Sequence, residues 1–186
     1  MSDLFSSLRL FAVSLFVCSV IYPALILSFA VVAAPETRNG SLLRDEQGTI
    51  IGSRLLAQDF SQDKYFWPRP SAVDYDASAT GGSNYSPTNP ELTKVAAEIV
   101  GRLRLADGKL VPADLVSMSG SGLDPHITLT AALVQVDRIA QARNLSSETV
   151  EALIRSRNDS PSLVKFGAEP LVNVLELNIA LDRMAQ

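Results

Sequence analysis

The residue types best suited to chemistry cluster in Ser117 to Ile127, SMSGSGLDPHI, which holds the serines Ser119 and Ser121, the acid Asp124 and the chain's single histidine, His126. In a Ser-His-Asp triad the serine attacks, the imidazole takes its proton and the carboxylate orients the ring. A membrane-tethered hydrolase using Ser121 and His126 is therefore one reading. Spacing opposes it, because adjacent residues on one loop seldom surround one reacting atom, and neither serine has the flanking glycines of a nucleophile elbow. A lone histidine without a companion His or Cys also makes a structural zinc site a poor fit. The favoured reading has no catalytic residue and no metal: glycines shape a loop, Asp124 bonds nearby amides, and Asp124-Pro125 opens a turn.

Nucleotide chemistry is equally short of machinery. No phosphate-cradling loop with Lys-Ser/Thr occurs, no Gly-x-Gly-x-x-Gly follows a strand, and the Asp-Lys-Thr-Gly phosphorylation sequence of P-type ATPases is missing. Gln135, Arg138 and Arg143 share one expected helix, where the arginines could face phosphate or simply sit in solvent. A formal net charge of −4 argues against a nucleic-acid partner. A ligand-sensing domain would need a pocket, which sequence does not display.

The elements that would position these residues fall on either side of Pro35. From Leu10 to Ala34 about 25 residues pass without a charge, roughly 38 Å of helix against a hydrocarbon core of about 30 Å. A transmembrane helix fits better than a signal peptide, whose apolar run is shorter, or a buried core helix, which would show a polar side. Pro23 sits mid-span, and Ser14, Ser19, Tyr22 and Ser28 suggest one side that faces protein. Arg9 on one flank is matched by Arg38 and Arg44 on the other, so charge leaves the orientation open. The only cysteine, Cys18, lies inside the span, which precludes a disulfide within the chain.

The expected architecture is α+β. Residues 1–9 form a tail, 10–34 the transmembrane helix, and 35–186 a single small soluble domain with a short β-hairpin region and about four helices. Two apolar runs around Asp45 to Gly48 predict the hairpin. Tyr65-Phe66-Trp67 with Pro68 and Pro70 predicts an ordered, irregular segment whose aromatics are core. Asn89 caps a helix that Pro90 opens, with Leu92, Val95, Ala96, Ile99, Val100 and Leu103 on one face and Gly108 at its close. A second helix runs from Thr128 to about Arg143, with Ala131, Ala132, Val136, Ile139 and Ala140 inward. A third follows Ser147, with Val150, Leu153 and Ile154. A fourth starts at Pro170, and there Asn173 and Asn178 require hydrogen-bond partners.

In order along the chain, NGSLL, GSRLLAQDF, YFWPRPSA, GGSN with NPEL, VPADLVSMSGSGLDPHI, AALVQVDRIAQAR and EPLVNVLELNIALD closely resemble the C subunit of the Kdp-type potassium-transporting ATPase. Ser119 to His126, Arg69 to Ala72 and Val172 to Asn178 are the most specific pieces. The departure is Leu56-Ala57, where the family more often has Ile-Gly, a change expected to affect local packing only.

The resemblance implies a non-catalytic accessory subunit of a bacterial inner-membrane complex. Its partners would be a channel-like potassium-binding subunit, a P-type ATP-hydrolysing subunit and a small membrane peptide. It further implies a catalytic chaperone that raises the hydrolysing subunit's affinity for ATP, and it points to Gln135 as a nucleotide contact. The family's arrangement also puts the soluble domain in the periplasm. There cytoplasmic ATP cannot reach Gln135, and any effect on ATP must pass through the complex as coupling between distant sites.

Overall fold

The computed structural model describes residues 2–45, 47–105, 109–157 and 169–184. The chain divides into two compact units, Met1–Ser53 and Arg54–Gln186.

In the first unit, α1 (Ser2–Phe16), a π-helical turn (Val17–Ile21) and α2 (Tyr22–Ala33) follow one another without a break. Residues 2–9, expected as a tail, are thus helical, since nothing before Leu10 breaks the helix and Leu4, Leu8 and Arg9 are good formers. Asp3–Ala33 is 31 residues long, apolar enough to cross a membrane, and has nothing buried. The π turn accommodates Pro23. Proline has no amide to donate, and just before it the Tyr22 amide reaches five residues back to the Val17 carbonyl. Ser28 donates to the Ala24 carbonyl at 2.7 Å, which satisfies its hydroxyl within the helix.

After a short 3-10 turn (Thr37–Asn39), β1 (Leu42–Arg44) and β2 (Ile50–Ser53) form the expected antiparallel hairpin. Its loop is held by Asp45, whose carboxylate accepts from the amides of Gln47 and Thr49, and by Gly48 at φ +83°.

The second unit contains α3 (Pro90–Leu103), α4 (Ala113–Val116), β3 (His126–Thr128), α5 (Leu129–Leu133), α6 (Val136–Arg143), α7 (Ser147–Ser156), β4 (Leu171–Asn173) and α8 (Val174–Met184). Asn89 accepts from the Glu91 amide and Pro90 opens α3, as its sequence signature predicts. The helix stops at Arg104 in left-handed geometry, φ +48°, ahead of the expected stop at Gly108, which lies outside the described residues. Ser146 caps α7.

Two short strands replace expected irregular or helical chain. β3 pairs antiparallel with β4, His126 opposite Asn173 and Thr128 opposite Leu171. The ladder is continued by Val174 N–H to the Pro125 carbonyl and Leu129 N–H to the Pro170 carbonyl. Leu171–Asn173, expected as helix after Pro170, is therefore strand, because pairing with His126–Thr128 outweighs a local helical periodicity. Each strand then runs straight into a helix. Thr128 ends β3 and caps α5 by accepting from the Ala131 amide, while the Asn173 carboxamide oxygen accepts from the Glu176 amide at the start of α8.

The helix expected over Thr128 to Arg143 breaks at Val134–Gln135. Gln135 has φ −91° and ψ −7°, and its amide bonds Ala132 three residues back. The Ala131 carbonyl, which that amide would have met in a regular helix, instead accepts from the Gln135 side chain. The core gathers Phe66 and Trp67 from the irregular segment, Leu103, Leu115, Ile127, the Ala131–Ala140 face, Val150, Ile154, Val172, Val174, Leu177 and Leu181. The small residues expected in α5 and α6 are all there, with Ala131, Ala132 and Ile139 fully buried.

Candidate functional site

Two constructions occupy the positions singled out in the sequence. The first surrounds Gln135, which is wholly buried. Its carboxamide oxygen accepts from the Trp67 amide (2.8 Å) and from Arg138 Nη2 (2.7 Å), and its nitrogen donates to the carbonyls of Trp67 and Ala131 (both 3.2 Å). A primary amide has two acceptor lone pairs and two N–H donors, so every one is used. Asn178 repeats the pattern one residue earlier, accepting from the Phe66 amide (2.8 Å) and donating to the Phe66 carbonyl (3.0 Å). Successive residues of the aromatic segment are thus each held by a side-chain amide that imitates a neighbouring strand.

The two arginines act on the same stretch. Arg138 donates to the carbonyls of Asp63 and Tyr65. Arg143 donates to the carbonyls of Lys64 and Leu181 and to Asp182, whose second oxygen accepts from the Tyr65 hydroxyl. The Trp67 indole N–H closes on the Gln62 carbonyl at 3.1 Å. Every carbonyl from Gln62 to Trp67 therefore accepts from a side chain. The Arg138 guanidinium also lies 3.7 Å from the Trp67 ring centroid. Burial against that ring is the main cause that pulls Arg138 down to about 10, where it is still charged at neutral pH. A cavity of roughly 380 Å³ beside this region is lined by Arg104, Lys109 and Arg138 together with Asp63 and Asp137; Gln135 is not among its walls.

The second construction is the loop that carried the triad reading. Ser119, 2% exposed, accepts on its hydroxyl from the amides of Gly122 and Asp124. The Ser121 hydroxyl accepts from the Leu123 amide and lies 3.2 Å from that of Ser119. Both serines are thus used as turn acceptors. Asp124 and His126 do meet, at 3.1 Å, and the same carboxylate oxygen takes the His126 amide. The hydrogen bond from His126 leads the causes that hold Asp124 below the ordinary aspartate value of 3.8, with the Arg69 charge a lesser contributor.

Around this loop the Arg69–Ala72 stretch closes tightly. Arg69 reaches Asp124 and the Met118 carbonyl, and the Ser119 amide donates to the Pro70 carbonyl. Gly81 and Thr80 both donate to the Ser121 carbonyl, and Ala57, at the Leu56-Ala57 departure, donates to that of Leu123. Gly122 stands at φ +73°, and a Cβ there would lie 2.5 Å from Val73 and 2.9 Å from the Gly81 carbonyl. Among the described residues no group of three or more His, Cys, Asp or Glu is placed to hold a metal ion.

The family model described as K+-transporting ATPase, c chain, matches residues 4–183. The chain belongs to the KdpC family. Among its KdpC relatives, the potassium-transporting ATPase KdpC subunit of Parvibaculum lavamentivorans is 44% identical over 184 residues, 99% of this chain and 98% of that protein. The Synechocystis sp. subunit is 45% identical over 185 residues, 95% of each chain, and that of Geobacter metallireducens 42% over 191 residues, the whole of both. Within KdpC the match takes in the apolar helix, the hairpin and the globular unit alike.

What sequence reasoning did not foresee is that Arg138 and Arg143 spend their donors on backbone. The available signal was the prolines: a segment that cannot form a ladder, flanked by aromatics destined for the core, must find side-chain partners somewhere.

Replacing Gln135 by Leu leaves both backbone groups of Trp67 buried and unpaired. It should cost about 2–4 kcal/mol, read as a lowered denaturation midpoint of the full chain in detergent by Trp67 fluorescence. Gln135→Glu keeps the acceptor, loses the donor and should fall between. Gly122→Ala should cost about 2–4 kcal/mol from left-handed strain and overpacking, whereas Gly120→Ala, with nothing within 4 Å, should cost little. Because the folded pKa of Asp124 is depressed, its contribution to stability is complete above 3.8 and is lost as pH falls through the lower folded value. The Asp124→Asn chain should accordingly show a flatter acid limb in stability against pH.

Proposed function

We propose that this chain is a non-catalytic accessory subunit of a high-affinity, ATP-driven potassium-uptake complex in a bacterial inner membrane. The observation that carries the reading is the family match over residues 4–183, which takes in an anchor-length apolar helix and a globular unit whose Gln135 and Ser119 to His126 loop are committed to its own architecture. The helix Asp3–Ala33 crosses the bilayer once, and its serine and Pro23 side packs on the channel-like potassium-binding subunit. The globular unit lies in the periplasm and helps to assemble and stabilise the complex with the P-type subunit and a small membrane peptide.

As a catalytic chaperone the subunit raises the ATP affinity of the hydrolysing subunit, and it does so by coupling through the complex. The bonding of Gln135 supports this indirect route. With both lone pairs and both N–H groups engaged, it has no group to offer a nucleotide. A direct role would require Trp67 to lose its backbone partners.

Two measurements test the proposal. In a Cys18→Ser background, a cysteine at the exposed position Thr93 should react with a membrane-impermeant maleimide in intact cells; reaction only after the inner membrane is opened would overturn the topology. Adding the chain to a complex assembled without it should lower the KM for ATP about 5-fold or more. An unchanged KM would overturn the chaperone role.

A further inference from the structure

The apolar stripe of α3 is only partly covered: Leu103 joins the core and Ile99 packs against it, while Leu92, Val95 and Ala96 are half-buried. Of Leu92, Val95, Ala96, Ile99, Val100 and Leu103, Leu103 alone is buried, and Val100 is 46% exposed. Such a stripe normally faces a core. Val95 and Ile99 also line a cleft of roughly 560 Å³, with Phe60, Trp67, Pro68 and Met118 among its other apolar walls.

The charged lining is one-sided. Asp59, Asp74 and Glu98 line the cleft against a single cation, Arg102, whose guanidinium lies 4.5 Å from the Trp67 ring centroid. Among the described residues none of these three carboxylates has an ion pair or side-chain hydrogen bond, whereas Asp124, Asp137, Asp182 and Glu176 are each paired with a Lys or Arg. The negative field is felt within the cleft wall: Tyr75, whose hydroxyl donates to the Arg69 carbonyl, is pushed up to about 12 by burial first and Asp59 next. Asp74 and Tyr75 both hold left-handed backbone, φ +51° and +57°, which puts the carboxylate at the cleft and the phenol on Arg69.

The occupant must match both linings. A bare metal ion does not, because the carboxylates form no metal-ligating cluster among the described residues and much of the wall is apolar. A lysine or arginine side chain does, with its methylene stem along the half-buried Pro70, Val95, Ile99 and Met118 and its charged head among the acids. We propose that this cleft seats a lysine- or arginine-bearing extended segment of a partner polypeptide in the membrane complex. The assignment rests on the accessory-subunit reading, which supplies the partner.

The test uses the whole complex purified from membranes, with a benzophenone amino acid in place of Val95. Ultraviolet cross-linking should join this chain to another subunit at a residue beside a Lys or Arg, identified by mass spectrometry. The combined Asp59→Asn, Asp74→Asn, Glu98→Gln chain should lower the yield several-fold, with Trp67 emission unchanged as the check on folding; Asn tolerates the left-handed backbone at 74. Cross-links confined to this chain or to lipid, a partner segment without a basic residue, or a yield indifferent to the three charges would each overturn the proposal. Failure of the unmodified chain to co-purify with larger subunits is a different result, which overturns the accessory reading and this one together.

Discussion

A buried stretch of backbone must find a partner for each of its polar groups, and Tyr65 to Pro68 must do so without a neighbouring strand. Pro68 has no amide to give, and the aromatic side chains of Phe66 and Trp67 pull the chain into the core. Gln135, at the α5–α6 break, and Asn178, in α8, answer the Trp67 and Phe66 peptides, and Arg138 and Arg143 answer the carbonyls before them. The bonds of Gln135 and Asn178 are buried, where an unpaired group costs about 1–3 kcal/mol, whereas that of Arg143 to Lys64 is exposed. The segment is thereby bonded to both α6 and α8.

Much of the surrounding architecture follows from that constraint. The break between α5 and α6 exists because the Gln135 side chain bonds Ala131, while its own amide moves back to Ala132. The segment continues through Pro70 into the Ser119–His126 loop, where serine hydroxyls, Asp124 and Arg69 hold a second irregular stretch by the same means. A group that looks like the start of a catalytic site in sequence is in this way part of the scaffold. The proposed effect on a distant ATP site, if transmitted through rigid contacts with neighbouring subunits, is a coupling free energy between sites.

The local signals were strong where one residue's chemistry decides the outcome. Asn89-Pro90 opens a helix because a cap and a fixed φ need no tertiary help, and the Asp45 to Gly48 turn closes a hairpin for the same reason. Thr128 was legible as a helix start, although the strand it also ends was not. Leu171–Asn173 misled because its periodicity suits a helix, and only the pairing with His126–Thr128 makes it β. The stripe on α3 was read correctly as apolar, yet how far each residue is covered, from buried Leu103 to exposed Val100, is a property of what packs nearby.

Composition and order along the chain determined by themselves that a long uncharged helix precedes a small α+β unit, that Trp67 and its neighbours are core, and that Asn173 and Asn178 need partners. They also carried the family resemblance. Tertiary structure alone decided which partners those amides take, that Gln135 is sealed inside, that Arg138 and Arg143 each reach backbone carbonyls of the aromatic segment, and that among the described residues three carboxylates around the cleft beside α3 have no ion pair. The physical reason is separation in sequence: caps and turns act within a few residues, whereas Gln135 and Asn178 reach residues 68 and 112 positions away, and no local pattern encodes which backbone group will be waiting there.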